Sequence, residues 1–224
     1  MKNKKALLFF ALLGLFAGKP EFAHAQDGDL ENALTLRVDF MVPQIATNKA
    51  FKLSFSGIFE VGGSVNYRVG KFNFGPLYRY KQFQVRADKI PNIQTILNVH
   101  SAGLKLNADI PYGKSFLLMP GLNTGWNFLN YTHLPCSLKT ASEKKSSAFN
   151  LEPNMSVVFL FDEGFGIGLQ ANYNILTYNF NPDNICLDEY KSYSNKEKTG
   201  LTGLFGFGFV VYWDLRKRGE AFDD

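Results

Sequence analysis

The chain has 224 residues and a formal net charge of +4, from 24 Lys and Arg against 20 Asp and Glu. The charge is spread along the sequence without a concentrated basic arm, which argues against nucleic acid as a partner. Aromatic residues make up 15% of the chain, Gly occurs 20 times, and the mean hydropathy is −0.12. This combination is unusual for a soluble protein and typical of a membrane β-barrel with a polar interior.

The N-terminus has the pattern of a cleaved secretory signal. Three lysines within the first five residues precede an apolar run over residues 6–17, and Ala23-His24-Ala25 resembles a signal peptidase site. The run is too short for a helix that spans a bilayer, which needs about 20 residues. We therefore expect a signal peptide at 1-25, an outer-membrane β-barrel at 26-218 and a short periplasmic tail at 219-224.

Eight segments then alternate apolar and polar residues with a period of two. A strand places alternate side chains on opposite faces and a helix does not. The clearest segment runs over residues 53–69, where one face carries Leu53, Phe55, Phe59, Val61, Val65, Tyr67 and Val69. The other segments cover residues 34–42, 72–81, 101–110, 116–128, 149–161, 165–175 and 201–214.

The short connections between these segments test the alternation, because residues that face each other across a hairpin point to the same side. Val69 and Phe72 flank a two-residue turn that begins with Gly70. Two further short turns are also flanked by apolar pairs, namely Phe161 with Phe165 and Ile110 with Phe116. The three turns therefore agree on which face is apolar.

Short connections alternate with long ones near residues 43–52, 88–97, 132–147 and 179–198. This alternation is typical of outer-membrane barrels, and an even strand number places both mature termini in the periplasm. Closure is required because an open sheet edge in hydrocarbon leaves backbone polar groups unsatisfied. The predicted fold is therefore all-β, an eight-stranded antiparallel up-and-down transmembrane β-barrel in the bacterial outer membrane.

Three prolines fall inside the predicted strands, at positions 76, 120 and 153. Each lacks the N–H that a strand donates to its neighbour. We therefore expect a β-bulge at Pro76, Pro120 and Pro153.

The inward face carries five cations and five anions. An eight-stranded barrel has room only for its own side chains, so we expect a plugged interior with ion pairs. A proton or ion relay through the same groups is the alternative. The predicted lumen charge network consists of Arg37, Asp39, Glu60, Arg68, Arg79, Lys81, Lys105, Asp109, Glu152 and Asp214.

The two cysteines, Cys136 and Cys186, fall in the third and fourth long connections, which are neighbours around the rim. A disulfide between them is favoured in an oxidising compartment, and two free thiols are the alternative. The same connections are rich in charge, either as ordinary solvated loops or as contacts with lipopolysaccharide phosphates or a protein partner. The basic residues there are Lys139, Lys144, Lys145, Lys191, Lys196 and Lys198.

Catalysis is not expected. After removal of the signal, His100 and His133 remain, and Ser101 points to the face opposite His100. A nucleophile needs a base within hydrogen-bond reach, and a metal site needs three or four clustered ligands. We therefore predict neither an enzyme nor a cofactor or metal site. A lipid-modifying outer-membrane enzyme is one alternative, and a soluble calycin-like barrel with its apolar face inward around a ligand is another.

The amino-acid sequence of residues 59–63, 66–72 and 75–80 resembles that of the small outer-membrane β-barrel proteins of Bacteroidetes that are often labelled PorT-like. The resemblance implies an eight-stranded outer-membrane barrel, and some relatives serve the type IX secretion system. We expect a non-enzymatic integral outer-membrane protein with a structural role in the envelope, or a membrane component of a larger assembly such as a secretion system. Its extracellular loops would contact outer-membrane lipids and lipopolysaccharide, or other envelope proteins.

Overall fold

Antiparallel strands that pair in chain order make up most of the structure. The computed structural model describes residues 32–91, 93–113, 115–135, 143–161, 164–198 and 200–215. The strands are β1 Ala33–Ile45, β2 Phe55–Val69, β3 Phe72–Val85, β4 Ile96–Ala108, β5 Ile110–Tyr112, β6 Phe116–Thr132, β7 Glu143–Leu160, β8 Phe165–Leu176 and β9 Thr202–Asp214. Two short helices, α1 Lys49–Ser54 and α2 Asn195–Lys198, and two 3-10 turns, Pro182–Ile185 and Leu187–Glu189, lie in the long connections.

The sheet closes on itself. Strand β1 pairs with both β2 and β9, and β4 pairs with both β3 and β6, so each of the eight long strands has two neighbours. Strand β5 is a three-residue extension in the connection between β4 and β6. The predicted eight-stranded antiparallel barrel is confirmed. None of the helices in the described ranges is long and apolar enough to cross a membrane.

The predicted alternation is confirmed along most of each strand. In β1, Leu34, Phe40 and Val42 are exposed on the outer wall, while Arg37 and Asp39 between them are buried. The turn between β2 and β3 also has the predicted form: Val69 pairs with Phe72, and Gly70 has a φ of 55°. A left-handed residue of this kind favours Gly because it has no Cβ to clash.

The alternation fails at the start of β2. We predicted Leu53 and Phe55 on the outer face, but Leu53 belongs to α1 and Phe55 is buried. The pairing of β2 with β3 shifts register between Gly57 and Phe59. One extra residue in a strand exchanges its two faces beyond that point, so Phe55 points into the barrel.

The predicted bulges at Pro76, Pro120 and Pro153 were wrong. The paired residues on either side of each proline keep the same register, because neighbouring ladder hydrogen bonds hold the strands in place. The register shift lies opposite Pro43 instead. A Cβ on Gly57 would lie 1.9 Å from the Pro43 carbonyl oxygen, so the bulge needs a glycine there.

The third long connection is shorter than predicted. Strand β7 begins at Glu143, so Lys144 and Lys145 lie on the strand and not in a loop. The Lys144 Nζ donates to the Asn184 carbonyl oxygen at 3.2 Å, which links this strand to the fourth connection. The predicted signal peptide, the C-terminal tail, Lys139 and Cys136 lie outside the described residues.

Candidate functional site: the lumen and the rim

Six charged side chains form a cluster across the middle of the lumen, with Arg79 at its centre. We call it the central cluster. Arg79 lies 3.0 Å from Asp39 and 3.1 Å from Glu60, and it also pairs with Glu152. Its three carboxylate partners come from the neighbouring strands β1 and β2 and from β7 across the barrel. The members are Asp39, Glu60, Arg79, Lys81, Lys105 and Glu152.

Two lysines complete the central cluster. Lys81 bridges Glu60 at 3.3 Å and Glu152 at 3.5 Å, and Lys105 lies 4.0 Å from Asp39. The side chains of both lysines are at most 1% exposed. Three cations therefore face three carboxylates, which is the balance that buried charges require.

Glu152 also accepts hydrogen bonds from three asparagine side chains. The donors are Asn123 at 2.8 Å, Asn172 at 3.1 Å and Asn174 at 2.8 Å. These asparagines occupy inward positions on β6 and β8, on either side of β7. A buried carboxylate needs such donors because it has lost its hydration shell.

A second group lies nearer the short turns. Arg68 lies 2.8 Å from Asp214 and 3.8 Å from Asp109, and its Nη1 donates to the Tyr212 hydroxyl at 3.2 Å. Arg37 lies on the inward face of β1, and its Nη2 donates to the Ser156 hydroxyl at 2.7 Å. All ten charged residues singled out in the sequence therefore face the lumen.

Above the central cluster the lumen becomes apolar. At the long-loop end, every one of the eight long strands turns an apolar residue inward, and α1 and the fourth connection pack on top of them. Phe51 of α1 is central, with its ring 5.0 Å from Phe180 and 5.3 Å from Phe55. We call this layer the apolar cap; it contains Ile45, Ala50, Phe51, Phe55, Phe83, Val85, Ile90, Leu97, Val99, Leu129, Tyr131, Ala148, Leu176, Phe180, Ile185, Leu187 and Leu204.

The apolar cap was not predicted. Its signal was present in the sequence, because the inward positions of β3 continue from Lys81 to Phe83 and Val85. Our segments in β1, β3, β4, β6 and β7 stopped short of the rim, so the apolar inward positions there were left unassigned. A smaller apolar cluster of Leu117, Met119, Val158, Val210 and Tyr212 lies toward the short turns. The lumen charges therefore lie between the apolar cap and the short turns, and the second charged group contacts this smaller cluster.

At the rim, an ion pair and a contact between two hydroxyls join the first and fourth long connections. Lys49 of α1 lies 2.7 Å from Glu197 of α2, and Glu197 also accepts from the Ser194 N–H at 3.0 Å. These contacts with Lys49 and Ser194 lower the pKa of Glu197 to about 2. Tyr193 and Ser54 join the same two connections through their hydroxyls, 2.8 Å apart.

The histidines do not form a hydrolytic site among the described residues. His100 lies on the outer wall, where its Nδ1 is 2.7 Å from the Tyr78 hydroxyl, while Ser101 is buried on the opposite face. His133 has a φ of 55°, and its carbonyl oxygen accepts from Thr95. Within the ranges that the structure describes, no group of three or more His, Cys, Asp or Glu is placed to hold a metal ion.

The disulfide between Cys136 and Cys186 stays a prediction. Cys186 is buried at the rim, between the two 3-10 turns, and has a left-handed φ of 59°. Cys136 lies outside the described residues.

No protein-family model matches the chain, and no curated protein matches it either. Among solved structures, Neisserial surface protein A covers 80% of this chain and 96% of its own, with 12% identity and a TM-score of 0.54. Ail of Yersinia pestis, in complex with the heparin analogue sucrose octasulfate, has 10% identity, covers 82% of this chain and 100% of its own, and has a TM-score of 0.45. The N-terminal β-barrel domain of Pseudomonas aeruginosa OprF has 10% identity, 82% and 100% coverage, and a TM-score of 0.38.

The likeness to Neisserial surface protein A extends over most of both chains and shows a shared fold, that of a small outer-membrane β-barrel. The soluble calycin-like alternative is contradicted by the arrangement of the side chains. A calycin would enclose its apolar face, whereas here that face is exposed and the lumen holds the charges. The resemblance to PorT-like proteins of Bacteroidetes stays a prediction.

Proposed function

We propose that this protein is a non-conducting, non-enzymatic integral protein of the bacterial outer membrane, which makes its contacts through its rim connections. The observation that carries this proposal is the outer wall. Leu104, Phe209 and Phe72 are 63%, 60% and 61% exposed, far more than a soluble protein tolerates over a continuous surface. Hydrocarbon is the environment in which such a wall is stable.

The sealed lumen supports the non-conducting part of the proposal. The central cluster and the apolar cap fill the interior with side chains from every long strand. A water-filled path would have to separate the ion pairs of Arg79 and displace Phe51 and Phe55. The same sealing works against an ion or proton relay, because the cap separates the charges from the rim.

The orientation follows from the connections. Those at one end are two to seven residues long between the long strands, while those at the other carry helices, 3-10 turns and ion pairs. We infer that the long connections face outward and that both mature termini are periplasmic. The polar rim is then the surface that meets lipopolysaccharide, protein partners or both. A disulfide between Cys136 and Cys186 would fix the third connection to the fourth.

Epitope insertion tests location and orientation together. One tag is placed in the connection between β3 and β4, next to Lys89, and the matched control tag is placed in the turn at Lys71. We expect antibodies to label the first tag on intact cells and the second tag only after the outer membrane is permeabilised. Recovery of the protein in the soluble fraction, or labelling of the Lys71 tag on intact cells, would contradict the proposal.

Two roles remain, and they differ in which proteins stay bound to the barrel after detergent extraction. One is a structural role in the envelope, and the other is membership of a larger assembly such as a secretion system. Affinity capture from detergent-solubilised envelopes separates them. A stoichiometric partner that is lost when Lys191 and Lys196 are both replaced by Gln supports the assembly role. Recovery of the barrel alone supports the structural role.

A further inference from the structure

A cleft of about 690 Å³ opens on the outer wall at the long-loop end. Its wall on the barrel side is formed by Ser56, Gln84 and Ile96, which pair in register across β2, β3 and β4. The connection between β3 and β4 covers it, with Arg86 and Thr95 among the lining residues. The cleft faces away from the lumen, since the residues next to its strand positions point into the apolar cap.

Directly below the cleft, polar side chains form a row on the outer wall. Gln82 of β3 pairs with Asn98 of β4, Asn98 pairs with Asn130 of β6, and Asn130 pairs with Lys145 of β7. The Gln82 Nε2 and the Tyr80 hydroxyl both donate to the Asn98 Oδ1, at 3.3 and 2.7 Å. Four neighbouring strands therefore present hydrogen-bonding groups in one continuous row across a wall that is otherwise apolar.

The next levels of the wall are aromatic. Tyr80 packs against His100 with ring centroids 5.1 Å apart and against Phe59 at 5.6 Å. Below them lie Tyr78 and Trp126, which are 54% and 56% exposed. Tyr and Trp mark the boundary between headgroups and hydrocarbon. The cleft and the polar row thus lie at the level of lipid headgroups, with a surface for acyl chains beneath.

The connection that covers the cleft has an excess of positive charge. The Arg86 guanidinium donates to both carboxylate oxygens of Asp88, at 3.2 and 2.9 Å, and Lys89 lies 3.5 Å from the same carboxylate. The hydrogen bond from Arg86 lowers the pKa of Asp88. Two cations thus share one anion, and a guanidinium fork also fits a phosphate.

We propose that this cleft binds the phosphorylated headgroup of an outer-leaflet lipid. Arg86 and Lys89 bind the phosphate, Gln84 hydrogen-bonds the polar groups beside it, and the acyl chains lie along the aromatic wall below. Charge complementarity and the vertical order of cleft, polar row and aromatic rings support this occupant. The proposal rests on the proposed membrane location and on the outward orientation of the rim, which places the cleft at the outer leaflet.

The test uses the full mature chain in nanodiscs of phosphatidylcholine that contain a small fraction of diphosphoryl lipid A, with bound lipid A quantified by native mass spectrometry. We expect the double variant R86Q/K89Q to bind lipid A about tenfold more weakly than the wild type. The single variant Asp88→Asn removes the competing carboxylate, so it binds more tightly. The matched control Lys71→Gln lowers the charge at the opposite end and leaves binding unchanged.

Two further measurements show whether the cleft recognises a lipid phosphate or free phosphate. Dephosphorylated lipid A should bind wild type and R86Q/K89Q equally weakly, and inorganic phosphate should not displace lipid A at equal concentration. Equal retention of diphosphoryl lipid A by wild type and R86Q/K89Q overturns the proposal, as does displacement by equimolar phosphate. Because nanodiscs present both faces, failure here leaves the epitope test of orientation unaffected.

Discussion

Arg79 and Lys81 share Glu152 in a space that solvent does not reach, so the two cations depend on this carboxylate. Replacing Glu152 by Gln keeps the shape of the side chain and removes its charge. We expect a loss of about 3–5 kcal/mol in the free energy of unfolding, because the buried cations lose their main anion. Urea unfolding of the protein in detergent micelles, followed by tryptophan fluorescence, measures this loss.

Glu143 on the same strand provides the control, since it is exposed at the rim end of β7. Glu143→Gln should change the free energy of unfolding by no more than about 0.5 kcal/mol. Adding Lys81→Met to Glu152→Gln removes the surplus cation and should recover part of the loss. Equal stabilities for the two glutamine variants would show that the central cluster does not stabilise the barrel.

Phe51 is the residue on which the apolar cap depends, because its ring contacts Phe55, Phe83 and Phe180. Phe51→Ala should lower the free energy of unfolding by about 3–5 kcal/mol, as large-to-small changes in well-packed cores do. Phe51→Leu fills most of the volume and should lose less than about 1.5 kcal/mol. A similar stability of the wild type and Phe51→Ala would mean that the cap is loosely packed.

Among the structural elements, α1 and α2 are held together by a salt bridge that responds to pH. The pKa of Glu197 is lowered to about 2 by Lys49 and Ser194, so the contribution of the pair is complete above the ordinary carboxyl value of about 4.3. It is lost as the pH falls from there toward 2. We expect the amide of Ser194, which donates to Glu197, to lose its protection from hydrogen exchange over this range.

The variant Glu197→Gln removes the titrating group and serves as the control. Its Ser194 amide should already exchange rapidly at pH 6, relative to the intrinsic rate, and should show no further loss on acidification. The barrel strands should keep their protection in both proteins. A Ser194 amide that loses protection at the same pH in wild type and variant would show that another group controls the rim.

The eight strands could be predicted because the side-chain period of two is a local property of the sequence. The placement of Arg79 and Glu152 in the lumen followed from the same period, but their contact did not, since β3 and β7 lie on different sides of the barrel. The need for glycine at the Gly57 bulge was missed because the backbone that crowds it, at Pro43, lies on a neighbouring strand. Helix α1 was missed because its residues continue the alternation of β2 in the sequence.

At the scale of the whole molecule, the layers of the lumen predict a closed barrel. We expect the purified protein to insert into planar bilayers without a stable open channel, because the apolar cap and the ion pairs fill the cross-section. The double variant Phe51→Ala/Phe55→Ala lacks two rings of the cap. We expect brief channel openings in this variant. A stable conductance of the wild type would contradict the sealed lumen.

The central claim is that the apolar wall faces lipid, and the two native tryptophans report on it directly. Trp126 and Trp213 lie on the outer wall, where Trp126 packs against Phe149 and Trp213 against Phe165. The measurement is quenching of tryptophan fluorescence by acyl-chain-brominated lipids in reconstituted vesicles, with Trp126→Phe and Trp213→Phe to separate the two signals. We predict strong quenching of both tryptophans by the brominated lipids and weak quenching by acrylamide in the water. Emission that acrylamide quenches and brominated lipids do not would contradict the account.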